Sequence, residues 1–283
     1  MRNVWTVIFL LLLGSAGLAA QGSGISLQVQ LDRAHFSPGE IDGVVGPATR
    51  SAQVALESSS CAVRPEGPEL VTYRITEADV AGPFVEVPQD MMEKAQLAAL
   101  AYQTPIEALA EKFHVSPKLL TRLNEGKRFE PGTEIEVPNV ERADLPKAAR
   151  IVVDASERAV MIQDAGGCTV ARYPATIGSA NDPLPVGKWK VTEKTLDPAF
   201  SYNPDLFWDA DPTHAKAKIA PGPNNPVGRV WIGLSKEHYG IHGTAEPANI
   251  GRTESHGCIR LTNWDALELA KAVSTGTPVV LQE

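Results

Sequence analysis

The sequence predicts a multidomain chain in which a mainly β C-terminal domain with one late helix follows two smaller units rich in helix. Three observations lead there. From residue 147 onward, short runs of β-branched and aromatic residues alternate with Gly, Asp and Asn turns, the pattern of paired strands. Between 24 and 140, apolar residues recur at three- and four-residue spacing in short segments, the pattern of small helices packed on one face. A length of 283 residues suits two or three domains rather than one.

The elements follow in order. Residues 1–20 read as a secretory signal peptide. Arg2 is the only charge, an apolar run extends from Val4 to Leu13, and small residues lead to cleavage after Ala19 or Ala20. The run falls short of the ~20 apolar residues of a membrane-spanning helix, so no stable membrane anchor is expected after cleavage. Residues 24–58 form a first unit: a helix over 27–33, turns at Gly39, Gly43 and Gly46, and a helix from Pro47 to Glu57 with Pro in its first turn. The run IDGVVGPAT (41–49) resembles the helical peptidoglycan-binding module of wall hydrolases. The alternative is a helical cap packed on the rest of the chain. Residues 59–95 are expected as a linker, because Pro65, Gly67, Pro68, Gly82, Pro83 and Pro88 interrupt long elements, with short strands at 73–75 and 84–87.

Residues 96–140 form a second unit. Thr104 caps a helix over 105–113, with Ile106, Leu109, Ala110 and Phe113 on one face. A second helix runs from Ser116 to Asn124, and a turn at 129–132 leads into a strand over 133–138. The whole resembles a LysM module, a helix pair flanked by strands that binds N-acetylglucosamine chains, with its first strand expected around 97–102. The alternative is a helix pair that positions the C-terminal domain. In 147–283, strands are expected at 151–154, 158–163, 168–174, 188–192 and 230–234. A Pro/Gly/Asn-rich stretch from Asp197 to Gly228 has the length of a functional loop. Thr262 caps a helix over 264–273, Gly276 stops it, and 277–281 closes as a strand.

Composition narrows the function. The hydrophobic fraction of 43% and charged fraction of 21% are those of globular domains. A net charge of −8, a pI near 5.4 and the lack of any Lys/Arg run argue against a nucleic-acid partner. Three cysteines in a chain bound for export leave one thiol unpaired. A Cys61–Cys168 disulfide would leave Cys258 free; the other reading makes Cys61 and Cys168 small buried side chains. His214 and His238 fall in no HExxH or paired-Cys spacing, so neither a metal site nor another cofactor is expected. Trp208 and Tyr202 in the long loop suit a channel wall and a core equally.

The chemistry concentrates in YGIHGT (239–244) and SHGCIR (255–260). His242 precedes Cys258 by sixteen positions, a distance at which two strands joined by a loop can lie side by side. Sulfur attacks as thiolate, and a neighbouring imidazole can take the thiol proton and later give it to a leaving amine. Gly257 permits a tight backbone before the nucleophile, where the N–H groups of Gly257 and Cys258 can meet a developing oxyanion.

With GPNNPVG (222–228), IHGT (241–244) and CIRLTNWD (258–265), this pattern resembles the L,D-transpeptidase family, or YkuD domain, across nearly all of 149–283. The resemblance implies a β-sandwich with a late helix. It implies that Cys258 attacks the diaminopimelate–D-Ala bond of a peptidoglycan tetrapeptide stem and that a second stem's amine resolves the thioester as a 3→3 cross-link. His242 is then base and acid, oriented by the carbonyl of Gly243. Ser255 and His256 shape the nucleophile loop, His256 as a hydrogen-bonded scaffold, and Arg260 holds that loop or faces a substrate carboxylate. Stem peptides and glycan strands are the implied partners, carbapenem β-lactams the implied inhibitors, and a Gram-negative periplasm the implied location. Water in place of the amine would give an L,D-carboxypeptidase, and a lipoprotein link would give a ligase or hydrolase. A non-catalytic wall-binding protein is the other class, against which the intact His242 and Cys258 pair argues. A papain-like protease has its Cys upstream of its His, the reverse of the order here.

Overall fold

The computed structural model describes residues 24–283; the expected signal peptide at 1–20 lies outside them. Helix α1 (24–33) and helix α2 (Pro47–Ser58) close on a small core of Leu31, Ala34, Phe36, Ala52 and Leu56. The buried amide of Gln28 holds the turn between them, donating to Asp42 Oδ1 and accepting from Gly43 N–H. Strand β1 (Leu70–Arg74), a 3-10 turn, helices α3 (Met91–Lys94), α4 (Pro105–Lys112) and α5 (Pro117–Leu123), and strand β2 (Glu134–Pro138) follow. Thr104 and Ser116 cap α4 and α5 by accepting the N–H of Glu107 and Leu119. Such caps are each worth roughly 1 kcal/mol.

β1 and β2 pair antiparallel from Leu70↔Pro138 to Arg74↔Glu134. The partner strand of this unit is therefore not at 97–102 but inside the stretch expected as linker, and 84–87 forms no strand. The run LVTYR has good strand formers, and the strand expected at 73–75 overlaps its end, while the prolines and glycines on both sides obscure where it begins. Ile75 and Val80 still pack in the core of this unit, and the segment from 81 to 104 then leaves it and reaches across to the C-terminal domain.

That domain holds β3 (Arg150–Asp154), β4 (Ala159–Gln163), β5 (Thr169–Pro174), β6 (Thr176–Ile177), β7 (Gly187–Leu196), β8 (Phe200–Tyr202), β9 (Ala217–Ile219), β10 (Val230–Leu234), β11 (Gly240–His242), β12 (Ile259–Arg260), α6 (Asn263–Ala272) and β13 (Pro278–Gln282). Nine strands form one sheet in the order β5-β4-β3-β13-β7-β10-β11-β12-β6. The long β7 pairs with β13 through its first half and with β10 through its second, so one strand joins two half-sheets. Their inner faces and α6 bury Ile151, Val153, Ile162, Ile232, Ile241, Ile259, Leu269 and Leu281 in a common core. The domain is mainly β with one substantial helix, as the composition of its segments predicts.

Buried charges join the units. Glu268 on α6 takes hydrogen bonds from Arg142 Nε (2.8 Å) and Tyr173 (2.8 Å) and lies 2.9 Å from His35 Nδ1. Asp32 meets His114 at 3.0 Å, and the Arg142 guanidinium donates to its backbone carbonyl. Cys61 and Cys168 form a disulfide, which ties the end of the α1–α2 unit to the turn before β5 and leaves Cys258 free.

Candidate active site

The site grows out of three adjacent strands. Trp231 on β10 lies opposite His242 on β11, and His242 lies opposite Arg260 on β12. Residues in register share a face, so indole, imidazole and guanidinium form a row. The β11–β12 pairing is parallel, with Ile241 opposite Ile259. Cys258, one residue before β12, then falls beside Gly240 and diagonal to His242, at a spacing of roughly 7 Å between backbones. The Gly240 N–H is directed at its sulfur. Sγ lies 3.7 Å from the carbonyl of His238 and so is turned toward that oxygen in this conformation. Catalytic hydrogen bonds are commonly long before substrate arrives.

The imidazole is only 4% exposed. Its Nδ1 donates to the Gly243 carbonyl at 2.7 Å. A carbonyl only accepts, so Nδ1 carries the proton and Nε2 the lone pair. Burial, then the charge of Arg260, lowers its pKa to about 4 against the opposing hydrogen bond to Gly243. Burial likewise pushes the Cys258 thiol up, partly offset by the Gly240 N–H and by Arg260. Both partners are therefore neutral at rest near pH 7. Trp231 stacks on the imidazole with centroids 5.7 Å apart and planes 22° apart. A Cβ on Gly240 would lie 2.7 Å from that indole, so this position must be glycine for the stack to form.

The nucleophile loop is held at each residue. Ser255 donates its hydroxyl to the Cys258 carbonyl at 2.6 Å and its N–H to Gly178. His256 Nε2 is 2.7 Å from Asp209 Oδ1, and the ring lies between Phe207 and Trp208, at 5.0 and 5.5 Å. Gly257 has φ +101°, a backbone state that side chains disfavour. Among the described residues, no protein acceptor takes the N–H of Gly257 or Cys258. Arg260 is partly buried near the Cys258 thiol and the carboxylates of Glu246 and Asp209, with no carboxylate within ion-pair distance among the described residues.

The long loop becomes a lid. β8 and β9 pair as a hairpin, and its tip carries Phe207, Trp208 and Asp209 to His256. Trp208 is 63% exposed, and its Nε1 donates to Asp182 at 3.0 Å. Tyr202 is buried at the lid's base beside Leu100 and Ile219. The segment 81–104 clamps that base. His214 bridges the Tyr202 hydroxyl (2.9 Å) and Asp90 (2.8 Å), and Leu100 N–H donates to the Pro221 carbonyl. The structure thus gathers Cys258, His242, Gly243, Ser255, His256, Gly257 and Arg260 around one point. It adds Trp231, Asp209 and the clamp, which no motif marks, and Tyr239, which opens YGIHGT but has no role assigned there. Only the strand register and the course of the lid bring those in. No group of three or more His, Cys, Asp or Glu residues is arranged to hold a metal among the described residues.

A mainly β domain that sets a thiol and a neutral imidazole on neighbouring strands has the layout of a cysteine acyltransferase. Residues 148–281 match YkuD, the L,D-transpeptidase catalytic domain. The chain is 30% identical over 178 residues to the L,D-transpeptidase YkuD of Bacillus licheniformis, covering 62% of this chain and 91% of that protein. It is 28% identical over 201 residues to the L,D-transpeptidase YbiS of Escherichia coli, covering 69% of this chain and 62% of that one. A solved L,D-transpeptidase from Mycobacterium smegmatis shares 18% identity, covers 57% of this chain and 79% of its own, and superposes with a TM-score of 0.40. The chain belongs to the YkuD family of L,D-transpeptidases and is an enzyme of that type.

Proposed function

We propose that this enzyme acts in the cell wall as an exported cysteine L,D-transpeptidase that cross-links peptidoglycan stems. The observation that carries the proposal is the face shared by Cys258 and a buried, neutral His242 beside two unpaired N–H donors. In the reaction, His242 Nε2 takes the thiol proton as sulfur bonds to the carbonyl carbon of the diaminopimelate–D-Ala peptide. The C=O π pair moves to oxygen, facing the N–H groups of Gly257 and Cys258. Collapse restores the carbonyl, breaks the C–N bond and releases D-Ala, whose amine takes the proton from His242. The amine of a second stem then attacks the thioester, loses a proton to His242 and forms the 3→3 link, regenerating the thiol. Neutral partners suit this route, since the imidazole receives its proton during attack.

Export is supported by the charge and apolar pattern of 1–20 and by the Cys61–Cys168 disulfide, a bond that persists in oxidising compartments such as the periplasm. The 24–58 unit and the LysM-like unit are assigned to holding wall glycan, on the motif resemblances they carry. Arg260, without a carboxylate partner among the described residues, is assigned to a substrate carboxylate. Incubating the purified protein with disaccharide-tetrapeptide and resolving the products by mass tests the reaction. Dimers formed with loss of one D-Ala are expected; free tripeptide as the dominant product would replace transfer by hydrolysis.

A further inference from the structure

Gly257 leaves a space that one side chain fills. A Cβ built there would sit 2.9 Å from the Tyr239 hydroxyl oxygen and 3.1 to 3.2 Å from the ring carbons that carry it. The phenol therefore lies against the backbone of the residue before the nucleophile. Its hydroxyl makes no hydrogen bond to protein among the described residues. The segment 238–242 surrounds the sulfur: the His238 carbonyl faces Sγ, the Gly240 N–H is directed at it, and His242 supplies the imidazole.

Resting on the reading of Cys258 as nucleophile, we infer that Tyr239 is a further catalytic residue, its hydroxyl donating the side-chain hydrogen bond of the oxyanion site beside the N–H groups of Gly257 and Cys258. In acylation the S–C bond forms, the C=O π pair goes to oxygen, and the phenol donates a hydrogen bond to that oxygen without losing its proton. The group suits the task, because burial and the neighbouring charges of Cys258 and Asp182 raise its pKa and keep it a donor. The same placement makes the absence of a side chain at 257 necessary twice over, for the φ of +101° and for the phenol. Lys236, with Nζ 5.8 Å from the Tyr239 ring centroid, lies on the same ring and leaves the hydroxyl free.

The test compares two reactions of the same sulfur in the full chain. Acylation by a carbapenem passes through an oxyanion, whereas alkylation by iodoacetamide does not. Tyr239→Phe keeps the ring on Gly257 and removes only the hydroxyl. The account expects acylation at saturating carbapenem to slow by about tenfold to a hundredfold, below the roughly 100- to 1000-fold effect of losing one such donor, because two N–H groups remain. It expects iodoacetamide alkylation to stay within about twofold of wild type. Unchanged acylation would overturn the assignment, and so would equal slowing of both reactions, which would make Tyr239 a packing residue. Cys258→Ala is the separate control: a carbapenem adduct that persists there defeats the nucleophile assignment itself, whatever Tyr239 does.

Discussion

The strand row and the lid are held by different means. Trp231, His242 and Arg260 are placed by backbone pairing of β10, β11 and β12, and Cys258 follows from the same register. The lid's placement depends on side chains from another unit, with Asp90 and His214 124 positions apart in sequence. Local register makes the chemical groups insensitive to what the N-terminal half does. The lid is the part of the site through which that half acts. The nucleophile loop is where the two meet, since His256 stands next to Gly257 and binds Asp209 of the lid.

The predictions press on that contrast. Changes in the row are expected to be large. His242→Gln should slow carbapenem acylation by about 100- to 10,000-fold, the range for removing a general base, as read by stopped-flow kinetics. Acidification should act through the same group. A base works only while neutral, and the pKa of His242 is lowered to about 4, so acylation efficiency should be nearly flat from pH 8 down to pH 5. Below about 4 it should fall close to tenfold per pH unit. A break near pH 6.5 would mean that the imidazole is not desolvated as the fold implies. The same depressed pKa ties stability to pH. The unfolded chain binds the extra proton first, so this contribution is present at neutral pH and is lost as pH falls from the unfolded value toward 4.

Changes in the clamp should be smaller and spatially confined. His214→Ala removes both the Tyr202 and Asp90 partners. It should raise amide exchange across 200–219 and alter acylation by about three- to tenfold, since gating rather than chemistry is disturbed. Loss of exchange protection in β10–β12 as well would erase the distinction between row and lid. The disulfide should matter least for rate. A Cys61→Ser/Cys168→Ser double variant should lose about 2–4 kcal/mol of stability in urea unfolding, while acylation stays within about twofold.

What the sequence revealed divides along the same line. The strands of 147–283, helix α6 with its Thr262 cap, and the pair His242 and Cys258 were legible because each is encoded within a short window. The short β6, β8, β9, β11 and β12 were not, being two or three residues long and defined by partners rather than composition; β8 and β9 lie inside the stretch expected as a loop. β1 was caught only at its end, by the strand expected at 73–75, because prolines flank it, and Trp231 could be tied to His242 only through register. Tyr202 and Trp208 were indistinguishable in sequence. Packing separates them, one buried at the base of the lid and the other exposed at its tip.

The central claim is that one sulfur carries the acyl group. Digesting carbapenem-treated protein and mapping the added mass by tandem spectrometry addresses it directly. The account predicts a single modification on the peptide containing Cys258, and none in Cys258→Ala. The same mass found on any other residue, or retained by the alanine variant, would contradict it.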